Sequence, residues 1–166
     1  MSLTPQQRVL LVLCLAVAAA HGLAATAASA ETPTRAEYVA RLERICKPGS
    51  EATRRAVHGV RADVRSEQLA IAAGKFARAE RIFSRTVDAI SAVPRPAADA
   101  ATLARWFDDL RLEEVYLNRI VAALRESNVA RFQRVSAQFI HQGNRANNVV
   151  VSFGFNYCSF KPSRFQ

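Results

Sequence analysis

The sequence predicts an all-α protein: an up-down-up-down four-helix bundle with a kinked first helix, closed by one disulfide. Three observations point there. Half the residues are hydrophobic and much of that share is alanine, whereas Gly and Pro number only six each; alanine is the best helix former and a poor strand former. Apolar residues recur at helical spacing through four segments, at about 34–63, 66–93, 98–126 and 129–153, separated by short turn-like stretches. Two cysteines, Cys46 and Cys158, stand where the ends of such a bundle meet.

The first segment opens on a capping box, Thr34-Arg35-Ala36-Glu37, in which the Thr34 hydroxyl accepts from the Glu37 amide and the Glu37 carboxylate accepts from the Thr34 amide. Tyr38, Leu42 and Ile45 then share a face, and the pattern reads on through Pro48-Gly49 to Ala52, Ala56 and Val60. Proline inside a helix removes a donor and crowds the preceding turn, so a break is expected near 48–50.

Ser66 is the expected cap of the second segment, in which Leu69, Phe76, Phe83 and Ile90 repeat by seven. Ala72, Ala79, Thr86 and Val93 follow them by three, a narrow side that lets another helix approach closely. Pro94 and Pro96 end it. The third segment carries leucine at every seventh position (Leu103, Leu110, Leu117, Leu124), flanked by Trp106, Phe107, Ile120 and Val121, and holds neither Pro nor Gly.

Ser127 and Asn128 form a tight connection in which either residue can cap the fourth segment. There Phe132, Phe139, Ala146 and Phe153 share a stripe with Val135, Val149 and Val150; Gly143 lies within it, and Gly154 is placed to end the helix. Helices of alternating direction bring the end of the fourth beside the start of the first, and so Cys158 toward Cys46.

Residues 1–30 have the layout of a secretory signal peptide. Arg8 precedes the apolar run from Val9 to Ala20, and Ala28-Ser29-Ala30 offers a cleavage site before Glu31. The run is short of the roughly twenty residues that a membrane helix needs; an uncleaved N-terminal anchor is the alternative. Val12-Leu13 before Cys14 departs from the small residue that lipidation requires. The expected domain is therefore 31–166, secreted or extracytoplasmic.

That domain keeps Cys46 and Cys158, and an even count in an exported chain argues for a bridge, with two free buried thiols as the alternative. No C-x-x-C occurs, which sets aside zinc-ribbon and haem-attachment motifs. A bridge of this span stabilises by about 4–5 kcal/mol in the chain-entropy model.

The formal charge is +9, from 23 Lys+Arg against 14 Asp+Glu. One reading is the arginine-rich, alanine-rich usage of a GC-rich genome. The other is attraction to an anionic cell-envelope polymer or a membrane surface. The cations are dispersed, so the sequence draws no single patch. Nucleic acid is not an expected partner, because the stretch before Leu103, Pro-Arg-Pro-Ala-Ala-Asp-Ala-Ala, is no basic helix. A homodimer through a spare apolar face stays open.

Glu114 falls inside the leucine stripe, Glu113 at its edge, and Glu80 flanks the stripe of the second segment. Carboxylates in a bundle core hold metals when Glu-x-x-His pairs accompany them. The chain has no such pair, so no metal and no cofactor is expected, and Glu114 is expected to pair with an arginine or reach water. Gln138, Gln142, Asn144, Asn147 and Asn148 make the fourth segment rich in amides, as a solvated face or a polar groove between helices. No nucleophile elbow or glycine-rich phosphate loop occurs. The leading expectation is a non-enzymatic binding or structural protein of the cell envelope or exterior. The alternative is a small-ligand carrier, or an enzyme without a recognised motif, with its site between the helices near Glu114, Gln142 and Glu80.

Arg35–Cys46 (RAEYVARLERIC) and Phe153–Cys158 (FGFNYC) resemble a group of small exported helical proteins of high-GC bacteria, which pair an early cysteine after a Tyr-containing first helix with a late one after a glycine-ended last helix. The resemblance implies a Cys46–Cys158 bridge and an extracytoplasmic location. It implies no activity.

Overall fold

A computed structural model gives the fold and describes residues 32–159; the signal-peptide reading of 1–30 lies outside the described residues. Every regular element of the described part is helical. In chain order these are α1 (Arg35–Ala56), α2 (Val60–Arg65), α3 (Leu69–Ser91), α4 (Ala100–Arg125) and α5 (Val129–Val149), with single 3-10 turns at Ala97–Asp99 and Val151–Phe153. Helix α3 packs against α1, α2 and α4, and α4 packs against α3 and α5. Among the described residues no helix is long and apolar enough to cross a membrane.

The capping box starts α1. Glu37 N donates to Thr34 Oγ1 at 3.2 Å and Thr34 N donates to Glu37 Oε2 at 2.9 Å. Helix α1 continues through Pro48-Gly49, as the pattern read through that stretch, and no break in the helix falls at 48–50. Pro48 is exposed, on the side where water can serve the carbonyl it leaves without a helical donor. Gly49 faces α3, and a Cβ there would collide with Thr86 Oγ1. The missing side chain therefore sets a close crossing of α1 and α3, on the small side of the second heptad.

The chain breaks further on, at Gly59, whose φ of 75° suits glycine. This separates the six-residue α2, which the sequence reading had joined to α1. Ser66 ends α2 rather than capping α3, which starts at Leu69 after Gln68 with no side-chain cap.

At the start of α4, Asp99 puts an anion where the helix dipole favours one. Its carboxylate accepts from Arg35 at the start of α1, through Nε at 2.9 Å and Nη2 at 2.5 Å, and Arg35 holds it below the usual carboxylate range. The turn from α4 to α5 is short because Ser127 takes a left-handed conformation (φ 53°) and Asn128 N returns to Ala123 O at 2.9 Å, the geometry of a Schellman end. Asn128 then caps α5, its Oδ1 accepting from Arg131 N at 2.9 Å.

The buried side chains form two clusters. The first joins Tyr38, Leu42 and Cys46 of α1, Val87 and Ile90 of α3, Leu103, Trp106, Phe107 and Leu110 of α4, and Ala146 and Val150 with Phe153 and Phe155 after them. The second joins Val57 and Val60, Leu69, Ala72, Ala73 and Ala79 of α3, Leu117, Ile120 and Leu124 of α4, and Val135 and Phe139 of α5. All four leucines of the heptad row are buried.

After α5 the chain turns back at Gly154, in the left-handed conformation (φ 66°). Phe155 stacks on Trp106 (centroids 5.2 Å apart) and on Phe153 (5.6 Å). The Glu43 carboxylate then accepts from three successive backbone amides, Asn156 at 3.0 Å, Tyr157 at 3.0 Å and Cys158 at 3.3 Å. Glu43 lies one turn before Cys46, so this clamp presents Cys158 for the disulfide (Cα–Cα 5.1 Å).

Candidate functional site: a cleft beside the disulfide

A partly open cavity of about 90 Å³ lies between α1, α3 and α4. That is room for several waters or part of a small molecule. Its walls are largely apolar, from Phe83, Val87 and Ile90 of α3, Leu110 of α4 and the Cys46–Cys158 bridge. Gly49, Ser50, Thr53 and Arg54 line it from α1, Thr86 from α3, Asn147 from α5, and Tyr157 and Ser159 from the tail. The close approach of α1 and α3 at Gly49 and Thr86 forms part of that lining.

Glu113 of α4 also lines the cavity. It is 1 % exposed, and its Oε1 has no hydrogen-bond partner among the described residues. It sits on α4 between Leu110 of the first core cluster and Leu117 of the second. It also lines a smaller cavity of about 30 Å³, walled by Phe76, Ala79, Leu117 and Phe139. Burial, and then the neighbouring Asp109 charge, push the Glu113 carboxyl up to about 8. The group is therefore mainly neutral at pH 7, the form that low-dielectric surroundings favour.

Asp109, one turn earlier and also buried, is satisfied. Gln142 Nε2 donates to its Oδ1 at 2.8 Å and to its carbonyl at 3.2 Å, and Arg145 Nε pairs with the same carboxylate at 3.1 Å. Of the two buried carboxyls of α4, one is paired and the other has an oxygen with no hydrogen-bond partner among the described residues.

The three residues expected to form a site go to different partners. Gln142 is buried and joins α5 to α4 through Asp109. Glu114 is half-buried and accepts from Arg111 Nη1 at 3.1 Å, while Arg111 Nη2 reaches Asp88 of α3 at 2.8 Å. Glu80 accepts from Asn118 at 3.4 Å, and Asn118 donates as well to the Glu114 carbonyl at 3.1 Å. Glu114 and Glu80 thus belong to a polar seam along α3 and α4, and the carboxyl in the core is Glu113. His141 and His58 are exposed. Among the described residues no three His, Cys, Asp or Glu side chains are grouped so as to hold a metal ion.

Comparison with known proteins finds no match among family models, curated proteins or solved structures.

A carboxyl with a folded pKa of about 8 against an ordinary 4.5 binds more protons folded than unfolded. Its contribution to stability is fully present below about 4.5 and is lost as pH rises through about 8. Glu113→Gln removes that dependence. Thermal unfolding should show the variant gaining on the parent between pH 5 and pH 9, by on the order of 4 kcal/mol. A constant offset across that range would contradict the assignment.

Proposed function

We propose that the protein is an exported, non-enzymatic binding protein whose helices form an up-down-up-down bundle and whose cleft takes a small, mainly apolar ligand. The bundle topology is supported by the first core cluster, which draws on the start of α1, the end of α3, the start of α4 and the end of α5. Export is supported by the character of residues 1–30 and by the disulfide, a bond that persists in oxidising compartments.

The observation that carries the ligand reading is the buried Glu113 carboxyl, whose Oε1 has no hydrogen-bond partner among the described residues, on a residue that lines the cleft. Buried polar atoms in native proteins nearly always have a partner, and a ligand that enters the cleft supplies one. The test is to titrate ¹⁵N-labelled protein with a library of small aromatic and alkyl molecules and follow the amide spectrum. Shifts clustered on Gly49, Thr86, Val87 and Asn147 are expected. A library that moves none of them would refute the reading.

A second reading concerns the outer surface of α1, and one observation favours it. Arg44, Lys47 and Arg55 are exposed, and their spacing puts them on the side away from Tyr38, Leu42 and Cys46, with exposed Arg41 on the flank. Of the three acids of the same helix, Glu43 holds the tail, Glu51 is half-buried, and Glu37 is exposed and closes the capping box. This face is suited to an anionic envelope polymer. Co-sedimentation with purified cell-wall polymer should fall steeply between about 50 and 500 mM salt. Salt-insensitive binding, or none at low salt, counts against it.

A further inference from the structure

We propose that the outer face of α3 is a docking surface for a single linear phosphate polymer, held by Arg78, Arg81 and Arg85. The inference goes beyond the reading of the α1 face: it concerns a different helix and commits to the charged group and the shape of the partner.

Spacings of three and four put Arg78, Arg81 and Arg85 on one face of their helix. That face is turned away from Ala72, Ala79, Val87 and Ile90, which are buried. All three arginines are exposed, and among the described residues none of them has an ion pair. Ala70 and Gly74 continue the same face toward the start of α3. Both are exposed, and a Cβ at Gly74 would meet nothing within 4 Å, so the path along the helix before Arg78 is clear.

The acids that border the row do not neutralise it. On the α4 side Asp88 pairs with Arg111, and Glu80 accepts from Asn118. On the α2 side Asp63 pairs with Lys75. Glu67 is exposed in the turn before α3, about three helical turns from Arg78. Helix α1 meets α3 at Gly49 and Thr86, and its outer face adds exposed Arg44, Lys47 and Arg55 with half-buried Glu51 among them.

The shape of the row selects the shape of the partner. It is one arginine wide, flanked by the uncharged Ala77, Ile82, Ser84 and Ala89. At 1.5 Å of rise per residue its members are spaced about 4.5 and 6 Å along the axis. A bilayer is a plane of charge over hydrocarbon, and a helix that docks there buries an apolar face in it. Among the exposed large hydrophobic side chains of the described residues, α3 offers Ile71 alone. A nucleic-acid duplex sets two phosphate strands across a wide groove. One narrow row meets one chain.

The chemistry of the row selects the charged group. Each guanidinium presents its donors in a planar fork that matches the paired oxygens of a phosphate. A phosphate polymer carries its charges in its backbone, so successive anions meet successive arginines at this close spacing. A carboxylate polymer carries them at the ends of side groups, which must each be ordered on binding.

The experiment is calorimetric titration of the full, oxidised protein with inorganic polyphosphate from about 50 to 200 mM salt, with poly-L-glutamate and duplex DNA as comparators. Polyphosphate should bind tightest. The triple variant Arg78→Gln, Arg81→Gln, Arg85→Gln should weaken it at least tenfold at the lowest salt and lower the slope of log affinity against log salt by about 2, the value for three phosphates of a single strand. Arg125→Gln with Arg134→Gln, exposed on α4 and α5, should leave both quantities unchanged. Equal or tighter binding of poly-L-glutamate or of the duplex overturns the proposal. An unchanged triple variant beside a weakened Arg44→Gln, Lys47→Gln, Arg55→Gln variant overturns the α3 row and leaves the α1 reading standing. No binding of any polyanion at the lowest salt overturns both. Circular dichroism checks the fold, and if the triple variant does not fold, Arg81→Gln alone decides, with an expected loss of about 0.7 from the slope.

Discussion

Burial of one face of α4 is the constraint on which the rest of the structure depends. Leu103, Trp106, Leu110, Leu117, Ile120 and Leu124 lie in one row, each at most 5 % exposed. A row of this size is stable only if other apolar surface covers it. Helices α3 and α5 cover it from either side, and the start of α1 and the returning tail complete the first cluster around Trp106. Glu113 occupies the middle of that row, so the fold carries a carboxyl into its own core. Hydrophobic burial around it is what makes the cost tolerable, and the neutral form of the group is what keeps the cost low.

The tail is held by chemistry of a different kind. Phe155 provides apolar area on Trp106, while the Glu43 carboxylate gathers three backbone amides that no helix or strand would satisfy. Charge-assisted hydrogen bonds of this sort are stronger than neutral ones. Together they fix the segment on which Cys158 stands, and the disulfide then ties it to α1. One result is local: the bridge and Tyr157 become walls of the cleft. The cleft and the cross-link are two products of the same closure.

Much of this was legible in the sequence, and the exceptions have physical causes. The capping box, the heptad leucines, Asn128 as a cap and the pairing of the two cysteines depend on short-range spacing or on a simple count. That Gly49 serves a close crossing rather than a break was not legible, because it depends on where Thr86 of another helix lies. Sequence signals for α4 were balanced between two registers: Trp106 and Ile120 point by sevens to position 113, and Phe107 and Val121 point to 114. The fold buries Trp106 and Ile120 deeper than Phe107 and Val121, so Glu113 goes inward and Glu114 reaches Arg111. The roles of Glu43 and Asp109 had no sequence signal, since their partners lie on distant segments of the chain.

The central claim is that the core of this protein holds a protonated carboxyl on a residue that lines a cleft. The measurement that tests it most directly is the carboxyl ¹³C chemical shift of Glu113 in the free, oxidised protein, followed from pH 4 to pH 10. The account predicts a titration midpoint at about 8. A midpoint close to the ordinary 4.5 would mean that Glu113 meets water or a cation in solution, and would contradict the account.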